Sequence, residues 1–321
     1  DLRMSRGLGD VYKRQILRTR PKGCCYLLYL DITDFQYINF CYGTEAGDRL
    51  LKAVNDYTAG LPFVLLCERL YSDYFLCILS FPGEAPDEKA VQAVEHSLNG
   101  FMAEQQKLYP ACKLRFACGL CRTGTQELSH TIESANLARK EAKRLDTGSA
   151  VLYSEELVQK TVTRYELEQT LNQAVREQRF CFYLQPKVDL TNGRIIGAEA
   201  LARRIGQDGT VIYPDSFLPV MESSGTVVEL DLLICRQVCA FLSGRLRQGL
   251  PVVRTSVNLS RLHIKNKDTA SSLHAIAQEY QIPPELLEFE LTETILLDEL
   301  TGAKKLIDQL RTYGYLSLIH I

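Results

Sequence analysis

Short apolar runs of strand length alternate with amphipathic helical stretches from Cys24 onward, and this alternation limits the chain to α/β architectures. In the first half the runs are "CCYLLYLDI", "FVLLC", "FLCIL", "CKLRFACGL" and "AVLYS". A helix is expected over about 45–57, where Ala46, Leu50, Leu51, Val54 and Tyr57 fall on one stripe. Val91, Val94, Leu98 and Phe101 mark a second helix, and an alanine-rich stretch ending near Lys143 marks a third. In the second half the helix "YELEQTLNQAVREQ" precedes the strands "FCFYLQPKV", "IIGAEALAR", "VRTSVNLS" and "LLEFELTE". Asn192-Gly193 joins the first two as a hairpin, and helices separate the others, so parallel strands are expected in a doubly wound sheet or a barrel.

At 321 residues the chain has room for about two domains. We place the first at 16–153, a linker at 154–164 and the second at 165–315. The opening "DLRMSRGLGDVYKRQ" (1–15) has no usable periodicity, and the final "LSLIHI" (316–321) ends in mid-element. Both resemble translated library-adaptor sequence, so they are read as foreign to the domains.

Composition excludes several partners. Lys+Arg 37 against Asp+Glu 39 gives a net charge of -2, which argues against a nucleic-acid partner. No apolar run approaches the roughly 18 residues of a membrane span, so an anchor would have to lie on a segment of a longer parent. The 11 cysteines are odd in number and sit mostly inside apolar runs, which fits reduced thiols and a cytoplasmic location. The CxxC pair Cys118 and Cys121 lies in a strand, where positions i and i+3 face opposite ways, so it is not read as a metal or redox motif.

Polar residues gather at strand ends in the second half. Glu199, Leu201 and Arg203 alternate on one strand, Asn258 and Ser260 end "TSVNLS", and Glu290, Thr292 and Glu293 end "EFELTE". Any one of them is ordinarily a strand-end ion-pair residue. Together, two carboxylates and an amide oxygen on neighbouring strands form a hard-oxygen set for Mg2+ or Mn2+, and an arginine beside them suits a phosphate.

"YLQPKVDLTNGRIIGAEALARR", followed at the family's spacing by "VNLS" and "FELTE", resembles the EAL domain, the family of cyclic di-GMP phosphodiesterases. The resemblance implies a (β/α)8 barrel. It makes Glu199, Asn258 and Glu290 metal ligands, Gln185 and Arg203 contacts to the dinucleotide, and Glu293 a residue that steadies the loop after the next strand. Arg204 stands where the family usually has Trp. The family's "DDFGTG" segment and its later Lys, Glu and Gln fall beyond residue 321, so a half barrel that is inactive by itself is expected.

The first half resembles the GGDEF domain, the cyclic di-GMP synthase family with a nucleotidyl-cyclase-like α/β sheet, through "YLDITDFQYINFCYGTEAGDRLL" and the hairpin that follows. The resemblance makes Asp31 a metal ligand, Asn39 and Asp48 guanine-reading residues, and Lys143 a phosphate contact. The family's Gly-Gly-Asp/Glu-Glu-Phe is here Tyr71-Ser72-Asp73-Tyr74-Phe75. Glycines in such a turn let phosphate reach backbone N–H groups, and Tyr71 and Ser72 put side chains in that space. Thr33 and Thr44 replace an Asp and a His, and Pro62 and Leu65 replace the Arg and Asp of the inhibitory product site. A cyclase turn without cyclase activity is expected.

The expected function is a metal-dependent cyclic di-GMP phosphodiesterase regulated by a silent GGDEF domain that binds GTP, assembled in the parent as a homodimer. The alternative is a receptor or scaffold that binds cyclic di-GMP or a protein partner without turnover.

Overall fold

The computed structural model describes residues 13, 15–17, 19, 24–81, 87–124, 126–291 and 300–319. They form two compact units, divided between Thr161 and Val162.

In the first unit the central strand is β1 (Cys25–Thr33), and the sheet order is β2-β3-β1-β4-β5. The other strands are β2 (Val64–Tyr71), β3 (Tyr74–Ser80), β4 (Arg115–Arg122) and β5 (Ala150–Leu152). Alternation on β1 sorts its side chains. Tyr26, Leu28, Leu30 and Ile32 join one core, while Leu27 and Tyr29 join another on the opposite face. Because both faces are covered, β1 reads as one unbroken apolar run. The first core packs against α2 (Thr44–Ala59) and α3 (Asp87–Leu108), and the second against α4 (Leu128–Leu145). Cys118 and Cys121 fall into these two different cores, on opposite faces as expected.

A short helix, α1 (Phe35–Tyr42), was not expected from the pattern. It buries only Phe35 and Ile38 and leaves Tyr37 and Phe40 exposed, so its apolar stripe is too faint to read. Gly43, at φ 84°, separates α1 from α2. The β2–β3 hairpin turns through Ser72 and Asp73, with Tyr71 paired to Tyr74. Ser72 adopts φ 46°, left-handed backbone that costs a non-glycine residue on the order of 1 kcal/mol. Two local bonds offset this: Arg69 Nε donates to Ser72 O at 2.6 Å, and Ser72 Oγ donates to Asp73 Oδ1 at 2.8 Å.

The residues expected to form a linker are helical from Glu155, within α5 (Glu155–Arg176), because no Gly or Pro interrupts them. The second unit's sheet runs β11-β10-β9-β7-β6. Its strands are β6 (Phe180–Val188), β7 (Ile195–Ile205), the short β8 (Val211–Ile212) beside β7, β9 (Arg254–Leu259), β10 (Leu287–Leu291) and β11 (Leu316–Ile319). β6 and β7 are antiparallel, whereas β7, β9, β10 and β11 run parallel, as consecutive strands of a (β/α)8 barrel do. The final segment set aside in sequence reading therefore takes part in the fold, with Glu288 opposite Leu316 and Phe289 opposite Ser317. The intervening helices are α6 (Leu218–Ser224), α7 (Val227–Arg247), α8 (Thr269–Glu279) and α9 (Leu300–Thr312). Their apolar faces close over Ala200, Val257, Leu259, Phe289 and Leu291 in one core.

Candidate functional site

The period-two geometry of the second unit's strands separates its chemistry from its core. Ala200, Val257, Leu259 and Phe289 point at the helices. Their neighbours in sequence, Glu199, Ser256, Asn258 and Glu290, point to the other face, joined there by Gln185 and Lys187 of β6. Register brings these residues together: Gln185 pairs with Glu199, Glu199 with Ser256, and Asn258 with Glu290.

Asn258 Nδ2 donates to Glu199 Oε1 at 2.7 Å. Glu290 is buried and accepts from Lys187 Nζ, which also lies 3.9 Å from Glu288. The oxygens of Glu199, Asn258 and Glu290 thus stand on adjoining strands of one face. As donors they fit a hard divalent cation, and Lys187 shows that Glu290 already attracts positive charge. Among the described residues no three His, Cys, Asp or Glu side chains cluster closely enough to hold an ion.

Arg203 lies on the same face, its guanidinium carbon 5.5 Å from the centre of the Tyr183 ring and 4.8 Å from that of Tyr213. Its Nη1 donates to Ala202 O at 2.8 Å, while its buried Nε has no partner. Gln185 is exposed opposite Glu199. Arg204 points to the other face, level with Phe180 and Ile212. Glu293 and Thr292 lie outside the described residues.

Behind this face, Asp231 of α7 ties down the loop that follows Asn258. Its Oδ2 accepts from Ser260 N at 2.8 Å, and His263 Nε2 lies 3.1 Å from the same oxygen. Burial pushes the Asp231 carboxyl above its ordinary value, and the bonds from His263 and Ser260 pull the other way. Asp231, Asn258, Ser260, Ala202, Leu218 and Glu222 border a cavity of about 150 Å3.

In the first unit, β1 delivers Asp31 to the face covered by α4, where it is fully buried. Its Oδ2 accepts from Arg139 Nη1 and, at 2.9 Å, from Lys143 Nζ. Asn39, Asp73, Ser72 and Lys143 border a cavity of about 320 Å3, and Asn39 Oδ1 is buried there without a partner. Gly47 permits this placement, since a Cβ on it would lie 2.0 Å from Asn39 Oδ1. Asp48 is exposed on α2, outside that lining. The expected set is therefore brought together only in part: Asp31 bonds to Lys143, and Asn39 and Asp73 border one cavity. A guanidinium and an ammonium hold Asp31 Oδ2, its buried Oδ1 has no partner, and Tyr74 supplies no carboxylate beside it.

Sequence reading missed Lys187, Arg139 and Asp231. Lys187 and Arg139 find their partners 103 and 108 residues away, a distance no local pattern spans. An apolar-stripe position occupied by Asp in "VVELDLLICRQV" was the available signal for Asp231.

Comparison with known proteins follows the same division. Residues 168–320 match the family model described as EAL domain, and residues 6–148 match the model described as diguanylate cyclase, GGDEF domain. The signaling protein YkoW of Bacillus subtilis is 26% identical over 292 residues, covering 90% of this chain and 36% of that protein. The probable cyclic di-GMP phosphodiesterase PdeB of Escherichia coli is 36% identical over 145 residues, 45% of this chain and 28% of its own length. The chain thus spans well under half of these curated relatives. Among solved structures, the S helix-GGDEF-EAL portion of Vibrio cholerae LapD, bound to c-di-GMP, aligns with a TM-score of 0.54 at 14% identity, covering 99% of this chain and 73% of that one. This likeness concerns the fold.

Proposed function

The chain belongs to the GGDEF–EAL proteins, and on that premise we propose that it serves cyclic di-GMP signalling as a metal-dependent phosphodiesterase whose first unit is catalytically silent. The observation that carries this reading is the placement of Glu199, Asn258 and Glu290 on one polar face, with Asn258 and Glu199 in contact at 2.7 Å. Mg2+ or Mn2+ would be held by these three residues, and when bound it supplies an activated water and stabilises charge on the phosphoryl oxygens. The net change is one P–O bond formed by water and one ester P–O bond broken, giving a linear dinucleotide. Arg203, stacked between Tyr183 and Tyr213, is oriented to pair with a phosphate, and its unpartnered Nε leaves a donor to spend on it. Gln185 contacts the dinucleotide from β6.

The first unit makes no cyclic di-GMP and takes GTP as a regulatory ligand beside Asn39 and Lys143, with Asp48 a weaker candidate because it is exposed. The protein acts in the cytoplasm as a homodimer. Cysteines without disulfides are consistent with that compartment, and no described helix is long and apolar enough to cross a membrane.

The test is Mn2+-dependent conversion of cyclic di-GMP to its linear dinucleotide by the full-length gene product, followed by mass spectrometry, with Glu199→Ala as control. Mn2+ titration calorimetry on the 321-residue chain accompanies it. Loss of Glu199 should weaken Mn2+ by more than the roughly 10–100-fold that loss of an outer-shell partner costs. Dinucleotide binding without a linear product would move the assignment to a receptor.

A further inference from the structure

Arg139 is a charged side chain in an apolar setting, on the face of α4 that packs against Tyr29 and Leu27. The packing is close because Gly119 of β4 has no Cβ; one added there would lie 1.9 Å from Ala135 O and 2.2 Å from Arg139 N. This approach drives the Arg139 side chain, only 6% exposed, across the sheet to Asp31, which is 0% exposed. Named neighbours hold the guanidinium on several sides. Nη1 donates to Asp31 Oδ2, Nε donates to Asn136 Oδ1 at 2.9 Å, and the guanidinium carbon lies 5.6 Å from the Tyr29 ring centre and 5.0 Å from that of Tyr74. Tyr74 occupies the position where the family resemblance expects a carboxylate. One change therefore removes an anion and supplies an aromatic face to the cation.

Lys187 also meets a buried carboxylate, but it is 36% exposed on a flexible stem and can leave Glu290 to an incoming ion. Arg139 is pinned between two rings and cannot. A divalent ion brought to Asp31 would meet a fixed positive charge at contact distance.

We propose that Arg139 is a resident cation that permanently replaces a divalent ion at Asp31, so that a nucleoside phosphate entering the cavity bordered by Asp34, Asn39, Ser72, Asp73 and Lys143 is held there by Lys143 against two aspartates, without metal. Lys143 reaches that cavity while donating to Asp31, and supplies the mobile positive charge. Only the identity of the ligand rests on the GTP reading above; the replacement of metal stands on Arg139 and Asp31 alone.

Two measurements on the full chain test this. In a Glu199→Ala/Glu290→Ala background, which removes the second unit's oxygens, bound Mn2+ is counted by electron paramagnetic resonance. With Arg139 present no saturable Mn2+ is expected up to millimolar concentration. Arg139→Leu combined with Tyr74→Glu should create one site, and Asp31→Asn in that variant should abolish it. Saturable Mn2+ with Arg139 in place, lost on Asp31→Asn, overturns the proposal even if Arg139→Leu/Tyr74→Glu does not fold. Separately, GTP is titrated calorimetrically in EDTA and in Mg2+. Affinity in EDTA should equal or exceed that in Mg2+, and a loss of about tenfold or more in EDTA overturns metal-free binding. Absence of GTP binding in both conditions removes the nucleotide reading, and the Mn2+ count then decides the role of Arg139.

Discussion

Lys187 of β6 donates its ammonium to Glu290 of β10, reaching over β7 and β9 to a carboxylate whose side chain is only 6% exposed. Lys187→Met leaves that carboxylate without a cation. A charged hydrogen bond contributes about 1.5–3 kcal/mol, and the exposure of Lys187 reduces this, so a loss of about 1–2 kcal/mol is expected. If Glu290 is a metal ligand, Mn2+ should restore more stability to Lys187→Met than to wild type. Urea midpoints with and without Mn2+ measure this, and equal deficits in both conditions would separate Glu290 from the ion.

A second prediction uses Asp231. Burial raises its carboxyl, so the folded protein keeps the proton to a higher pH than the unfolded chain, where the ordinary value is 3.8. The stability this group contributes is complete below that value and is lost as pH rises through the raised folded value. The difference in unfolding free energy, wild type minus Asp231→Asn, should therefore fall as pH is raised from about 4. Other carboxylates cancel in the difference. A difference that grows over the same range would mean that His263, not burial, sets this site.

How much was legible beforehand follows from the distance over which each feature is encoded. Glu199, Asn258 and Glu290 could be found because a strand's alternation is local and an acidic residue in an apolar run stands out. Tyr71 and Ser72 were visible as misfits for the same reason, since a tight turn is a few residues long. Arg139 carries no mark in its alanine-rich helical stretch, and only the β4–α4 packing at Gly119 shows that it is buried. The helix α1 was hidden by its brevity. β11 was set aside for its unusual ending, yet its backbone pairs with β10 whatever its side chains, since ladder bonds are made by the main chain.

Gly119 supplies the third prediction. In Gly119→Ala the new Cβ meets backbone atoms, Ala135 O at 1.9 Å and Arg139 N at 2.2 Å, and neither can turn aside. Helix α4 must lift from the sheet, with an overpacking cost of about 1–3 kcal/mol. Lifting α4 also loosens Arg139 from Asp31. Thermal unfolding of the variant should show the loss, and Arg139→Leu should then cost less in the Gly119→Ala background than in wild type. Additive losses would show that the glycine and the ion pair act independently.

The last prediction concerns synthesis: with GTP and Mg2+ or Mn2+ this chain makes no cyclic di-GMP detectable by mass spectrometry. Three features of the hairpin and its surroundings act together. Ser72, already in left-handed backbone at φ 46°, places a side chain where a phosphate-binding turn needs bare N–H groups. Tyr71 packs on Tyr74 with ring centres 4.8 Å apart, so the turn is covered by aromatic surface. Arg139 in turn lies 5.0 Å from the Tyr74 ring centre and holds Asp31. Restoring the turn alone should not restore activity. Tyr71→Gly/Ser72→Gly/Tyr74→Glu exposes the backbone, but it sets a new carboxylate beside Arg139, which strengthens the hold of the guanidinium instead of admitting an ion. Adding Arg139→Leu is the change that frees Asp31 and the new Glu to share one. Product from the triple variant with Arg139 intact would show that the guanidinium yields to metal after all.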